Sequence, residues 1–285
     1  MSIKGNIHTL VEKNKIGLSL FTFLINRISA PKNALTINSI YFRGNEVYIS
    51  KHGKNQVAFD VGAYSGNCNY WICGNDNSLT VANGTTIQGQ GLGQTIHVDG
   101  NNNRIVIGKN CQVNISSLFI WGSNNSIIIE DDCSLMLTEL HIEQDNNEIH
   151  IGKGCTFHGR NGYPVHVAVD EGSKVIFDED CMCANGIQIR STDSHSITDL
   201  QGNRINPAKD IYIGKHVWIG LGAIILKGTQ LMPNSVVAAG GVCSKEFPEG
   251  NCIIGGNPAK VIKREISWDT LSVRIDVSED EKFLW

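Results

Sequence analysis

The sequence predicts an all-β solenoid of stacked coils, and three observations carry that reading. A short phrase recurs as NNRIVIGKNC, NNSIIIEDDC and NNEIHIGKGC: Asn103, Asn125 and Asn147 step by 22 residues, as do Ile107, Ile129 and Ile151, and Cys111, Cys133 and Cys155. Farther on, aliphatic residues return every six positions, at Ile213, Ile219, Ile225, Leu231 and Val237. Among 285 residues there are 30 Gly, only 6 Pro and 7% aromatics, a balance that suits short strands joined by tight corners better than large helical domains. A fixed period with apolar residues in register implies stacking, because one coil buries its apolar side chains only when a neighbour covers them.

Residues 1–35 read as a helix and linker. The run from Ile16 to Ile28, preceded by Lys13 and Lys15, imitates a secretory signal. Asn26 and Arg27 close it too early for a transmembrane span of about 20 apolar residues. The expectation is a short amphipathic helix packed on the end of the solenoid, with peripheral membrane contact left open. Residues 36–180 form the first set of coils. Val81 precedes Ile107 by 26 residues and Cys181 follows Cys155 by 26; both departures from 22 fit a loop extruded at a corner, since closure entropy grows slowly with length. The second gap holds Asn161, Gly162, Tyr163 and Pro164. The Asn pairs fit corners, where Asn tolerates the left-handed conformation.

Residues 181–285 form a C-terminal region of hexads and a tail. A hexad with one inward aliphatic per face predicts a triangular parallel β-helix with three six-residue faces to a coil. A 22-residue coil is then eighteen residues with a corner insertion of four. The spacing leaves the handedness open. The stretch RSTDSHSITDLQGNRINPAKD, residues 190–210, breaks the hexads and is too polar to stack. It is expected to protrude, and loops on rigid scaffolds are where chemistry is disproportionately placed.

The formal charge of −4 is spread along the chain, so no basic face points to nucleic acid. Of nine cysteines, Cys111, Cys133 and Cys155 hold equivalent positions in successive coils, as expected for reduced core thiols in a cytoplasmic protein. The spacing of Cys181-Met182-Cys183 is unlike the usual zinc spacing, and no metal site is expected. An acyl-cysteine at either position needs a low-pKa thiolate, for which no basic neighbour close in sequence argues.

At DSHSITD, HVWIG, ILKG, SVVAAGGVCSK and GGNPAKVIKR the chain resembles the left-handed β-helix, hexapeptide-repeat acyltransferases. The likeness is to the branch that O-acetylates bacterial capsular and other surface polysaccharides, including polysialic acid O-acetyltransferases. It is strong over residues 174–268 and looser over the NNxIxI coils. It implies a left-handed prism, a homotrimer, acetyl-CoA as donor in a groove between neighbouring β-helices, and a sugar or polysaccharide hydroxyl as acceptor, with sialic acid among the candidates. It also implies that His195 is the general base and that Trp218 belongs to the active site. Backbone contacts to CoA are implied at Leu221 and Ala239, and hydroxyl or basic contacts at Ser244, Lys245, Lys260 and Lys263. Ser244 stands where the family often has Thr, and Ala238 where it often has Gly.

The residue types suit that chemistry independently. A sugar hydroxyl needs a base titrating near neutrality as it attacks a thioester, and histidine is the natural candidate. Asp193 is close enough in sequence to be its orienting carboxylate. Trp218 offers one N–H donor and an apolar face, either to hydrogen-bond a developing oxyanion or to cap a corner. Pantetheine amides favour small residues, found at Gly220, Gly222 and Ala223 on one level and Ala238, Ala239 and Gly240 on the next. Lysine supplies the point charge that phosphate requires. Two rivals remain: the same fold acetylating a sugar nucleotide or small molecule, and a non-catalytic β-helix that binds glycans.

Overall fold

The computed structural model describes residues 26–39, 41–89 and 95–270. Among these the chain is a solenoid whose coils contribute to one 19-stranded and one 10-stranded sheet. Neighbouring strands are parallel except where Ile253–Gly256 pairs antiparallel with Ala259–Lys263. The predicted all-β architecture holds. The expected N-terminal helix falls mostly on residues 1–25, which lie outside the described residues; Arg27–Ser29, at its expected end, is a strand pairing with Glu46–Ile49. The expected linker also contains the start of a strand, Leu35–Ile37. Ile28 stands in register with Val47, and a coil edge is covered by another strand at lower cost than by a helix that leaves its ladder groups unpaired.

Each complete coil has three faces. In the C-terminal hexads the first face is Trp218–Ile219, the second Ile224–Leu226 and the third Gln230–Leu231. In the 22-residue coils the first two faces run together as ten-residue strands, Gln112–Trp121 and Ser134–Glu143, bent by register shifts near Ile115 and by Leu137 at φ 44°. The expected one-per-face apolar column is present. On the third face Leu79, Ile105, Ile127, Ile149 and Val175 stack in register, all buried, each contributing about 1.5–3 kcal/mol by burial. Cys111, Cys133, Cys155 and Cys181 form a second buried column, and all nine cysteines are free.

The Asn pairs divide their work. The first of each pair, Asn102, Asn124 and Asn146, takes the left-handed conformation with φ of 56°, 60° and 64°, as the corner reading anticipates. The second turns inward and builds a polar ladder. Asn77 N donates to Asn55 Oδ1 (3.0 Å), Asn103 N to Asn77 Oδ1 (2.9 Å), Asn125 N to Asn103 Oδ1 (3.0 Å) and Asn147 N to Asn125 Oδ1 (2.8 Å). Asn125→Ala leaves the buried Asn147 N–H without that acceptor and the Gln144 carbonyl without the Asn125 Nδ2 donor. The expected destabilisation is about 2–4 kcal/mol, read as a lower urea midpoint; an unchanged midpoint would mean that water replaces the rung.

The insertion of four falls at the corner between the second and third faces, where the turn Gln144–Asn147 sits. The coil of the second 26-residue step is enlarged elsewhere: Arg160 and Tyr163 bridge a turn around the expected insertion at 161–164, between the first and second faces. The corner with the Asn ladder also carries residues 191–210, and the ladder runs into that loop's root. Ser173 N donates to Asn147 Oδ1 (3.1 Å), and Ser173 Oγ to Ser191 Oγ (2.7 Å).

Candidate active site

The protruding loop is an ordered arm with internal bracing. Thr198 and Arg204 form an antiparallel bridge, Ile205 N donates to the Ile197 carbonyl (2.9 Å), and Asp199 caps the tip by accepting the Gln201 and Asn203 amides at 2.9 and 2.8 Å. Asn206, 7% exposed, holds the arm to its own base. Its Oδ1 accepts Ile197 N (2.7 Å), and its Nδ2 donates to the His195 carbonyl (2.9 Å) and to Asp193 Oδ2 (2.8 Å). Glu171, one coil below, accepts from Thr192 Oγ1 (3.0 Å), Arg204 Nη2 (2.6 Å) and Ala208 N (3.3 Å).

His195 is exposed on this arm, and among the described residues its ring has no hydrogen-bond partner. The expected orienting carboxylate is engaged elsewhere: Asp193 Oδ2 takes Lys227 Nζ and Asn206 Nδ2. Asp193 therefore fixes the backbone beside His195 rather than the imidazole. Sequence proximity suggested the ring, but the lysine that claims the carboxylate lies 34 residues away.

Lys227 holds the Asp193 carboxyl below the usual carboxylate range with help from Asn206, and the Arg204 guanidinium does the same for Glu171. Depressed folded-state values mean that these anchors contribute above the unfolded carboxylate pKa, about 3.9 for Asp and 4.3 for Glu. They are lost only as pH falls through the lower folded values. Protease resistance of the loop is accordingly expected to be the same at pH 5 as at pH 7.

Trp218 opens the first face and is 36% exposed. The tail's Trp268 lies 5.9 Å from it, centroid to centroid, and stacks on His216 at 4.0 Å. His216 Nδ1 meets Asp180 Oδ2 (2.7 Å), and Trp268 Nε1 donates to the His216 carbonyl (2.9 Å). His216 is thus a structural tie between Asp180 and Trp268, and Trp268 lies outside the motifs that the sequence singles out.

The residues expected to contact CoA fall on separate parts of the prism. Leu221, Gly222, Ala239 and Gly240 line the corner between the first and second faces. Gly222 N donates to Asn185 O and Gly240 N to Leu221 O, and both glycines have positive φ with open space where a Cβ would be. Ala223 is buried, and its amide is taken by the Gly220 carbonyl. It belongs to the core, because the hexad points that position inward. Ser244 and Lys245 lie at the next corner, where they share an open cavity of about 410 Å³ with Lys209 and Lys227. Lys260 and Lys263 are exposed on the terminal hairpin strand. His195 leaves the prism after the second face while Trp218 begins the first face of the next coil, so the third face, Ile211–Ile213, lies between them along one chain.

The cysteines near the loop are ill suited to covalent catalysis. Burial pushes the Cys183 thiol well above its ordinary range, and Cys181 Sγ donates to the Gly214 carbonyl (3.2 Å). A proton acceptor on the arm is the reactive group that this arrangement offers.

No protein-family model matches the chain. It is 36% identical over 193 residues to a polysialic acid O-acetyltransferase of Neisseria meningitidis, covering 63% of this chain and 87% of that one. It is 35% identical over 115 residues to a polysialic acid O-acetyltransferase of Escherichia coli O1:K1, covering 40% of this chain but only 37% of the relative's length. Among solved structures, that of the polysialic acid O-acetyltransferase OatWY superposes with a TM-score of 0.56 at 29% identity, over 87% of this chain and 96% of that one. The acetyltransferase NeuO, described as polySia-specific, superposes at 0.53 with 24% identity, a likeness of fold.

Proposed function

Because the chain belongs to the polysialic acid O-acetyltransferase branch of the hexapeptide-repeat acyltransferases, we propose that it moves an acetyl group from acetyl-CoA to a hydroxyl of a capsular polysaccharide, polysialic acid first among candidates. The fold is the left-handed β-helix of that family, and the enzyme is an acyl-CoA-dependent acyltransferase. The observation that carries the acceptor chemistry is the unengaged His195 imidazole, displayed on an arm whose backbone is fixed by Asn206 and Asp193.

In the proposed reaction His195 takes the proton of the acceptor hydroxyl as its oxygen attacks the thioester carbonyl. The tetrahedral intermediate collapses with loss of CoA thiolate, and the imidazolium returns the proton to that sulfur. Transfer is direct. Trp218 donates its indole N–H to the developing oxyanion, a type of contribution worth about 2.7–4 kcal/mol where measured. The lysines around Ser244 and Lys245 receive the phosphates of CoA, and the exposed Gly222 and Gly240 corner accommodates pantetheine.

We also propose a homotrimer in which His195 of one subunit meets Trp218 of the next, supported by the third face that lies between them in a single chain. The cytoplasm is the proposed compartment, in keeping with nine free cysteines.

The test is thiol release from acetyl-CoA in the presence of a panel of capsular polysaccharides, sugar nucleotides and free sugars. Release with polysialic acid is the expected result; release only with a sugar nucleotide or a small acceptor would overturn the polymer assignment. For Trp218→Ala, a large loss of turnover with a melting temperature within about 2 °C of the parent is expected. A collapse of the melting temperature with normal specific activity would assign it to packing. Mixing His195→Ala and Trp218→Ala chains after joint refolding should restore activity in hybrid trimers, which a site built within one chain does not allow.

A further inference from the structure

We propose that Glu139, His141 and His166 bind one divalent transition ion, Zn²⁺ by the nature of the donors, on the second face beside the root of the His195 arm. Two rules of strand geometry bring them together. Glu139 and His141 are two residues apart on Ser134–Glu143 and so point to the same side. His166, on Val165–Val169, stands in register with Glu139 one coil farther on, at an interstrand spacing of about 4.8 Å. All three are partly buried, and their donor atoms lie within 4.8 Å of one another.

The outer hydrogen bonds give the cluster its metal-like form. His166 Nδ1 lies 2.9 Å from Gln188 Oε1, and His141 Nε2 lies 3.1 Å from Ser117 Oγ. The two inner nitrogens, His166 Nε2 and His141 Nδ1, hydrogen-bond each other when one carries the proton, and with each outer nitrogen donating to its oxygen partner both present lone pairs to one ion. They are 3.3 Å apart. Two ligands of a tetrahedral zinc with Zn–N bonds of about 2.0–2.1 Å are separated by roughly that distance. An outer partner on the second ring nitrogen is how metal-binding histidines are held in tautomer and orientation. Glu139 closes the set by side-chain rotation.

The charges around the cluster mostly favour a cation. Glu143 and Asp170 line the adjoining cavity of about 210 Å³, opposed by Arg190, which is tied to Ser194 Oγ at 3.1 Å. The cavity supplies an entry path and room for a further ligand from solvent or acceptor, and Ser194 on its wall is the residue before His195. Sequence spacing hid the set, because Glu-x-His on one strand is completed by a histidine 25 residues later, a separation that only the coil period explains.

This inference is independent of the acyl-transfer reading, and its test is binding rather than turnover. Untagged full-length protein, stripped with chelator, is titrated calorimetrically with ZnCl₂ at pH 7.5, and Co²⁺ is added separately to read its visible ligand-field bands. One equivalent per chain in the low micromolar range or tighter is expected, with cobalt bands of tetrahedral intensity and no thiolate charge-transfer band. Glu139→Gln should weaken binding roughly 10–100-fold, His141→Asn with His166→Gln should abolish it, and His150→Asn, at a surface histidine paired with Glu130, should leave it unchanged. Absence of a saturable equivalent, a thiolate band, or equal binding by Glu139→Gln and the parent would each overturn the assignment. Glu139→Gln keeps side-chain size and hydrogen-bonding capacity, so the test stands even where the double histidine variant does not fold.

Discussion

His195→Ala is expected to lower acetyl transfer at least about a hundredfold, the scale of general-base contributions, while leaving the melting curve unchanged. The second half of that expectation comes from the structure. The imidazole is exposed and makes no hydrogen bond among the described residues, whereas the backbone of the residue is fixed through its carbonyl by Asn206. Truncation removes the ring without disturbing the brace. Steady-state rates of thiol release and a thermal melt on one preparation separate the two effects. The Michaelis constant for acetyl-CoA should barely move, because the proposed donor contacts lie on the glycine corner and the lysine cavity. Near-parental turnover would remove His195 from the chemistry and require a different proton acceptor.

Much of this architecture was legible in the sequence because a solenoid writes its third dimension as a period. Ile105, Ile127 and Ile149 announce their stacking by equal spacing, and the polar run 190–210 announces its protrusion by breaking it. Even here the period gave positions and not purposes. In sequence the Asn103–Asn125–Asn147 ladder reads as a set of corner residues, and only the fold separates the corner-forming Asn124 from the ladder-forming Asn125.

The site was legible only in part, for a different reason. Its motif residues sit within one polar run or one hexad, but the residues that hold them do not. Lys227 reaches Asp193 and Arg204 reaches Glu171 across 34 and 33 positions, distances set by one coil plus the inserted arm. Two residues of separation suggest Asp193 for the His195 ring, yet a charged lysine at the end of a rigid strand is the stronger partner. Small size suggests Ala223 as a cofactor contact, while its place in the hexad turns it inward.

Those same long-range ties make Asn206→Ala the most informative substitution after the base. Asn206 spends all its side-chain capacity on the arm: one acceptor for Ile197 N and donors to the His195 carbonyl and the Asp193 carboxylate. Alanine leaves the base chemically intact but releases the segment on either side of it. A misplacement near 1 Å costs up to about a hundredfold, so turnover should fall roughly 10- to 100-fold with the Michaelis constant for acetyl-CoA little changed. Stability should change little, because the arm lies outside the stacked core. Asn206→Asp discriminates further: it keeps the acceptor for Ile197 N but sets a second carboxylate against Asp193, so its activity should fall at least as far despite the smaller change in shape. If both variants turn over like the parent, Glu171 and the Thr198–Arg204 bridge suffice to aim the imidazole; the Asn206 contacts are then incidental to catalysis.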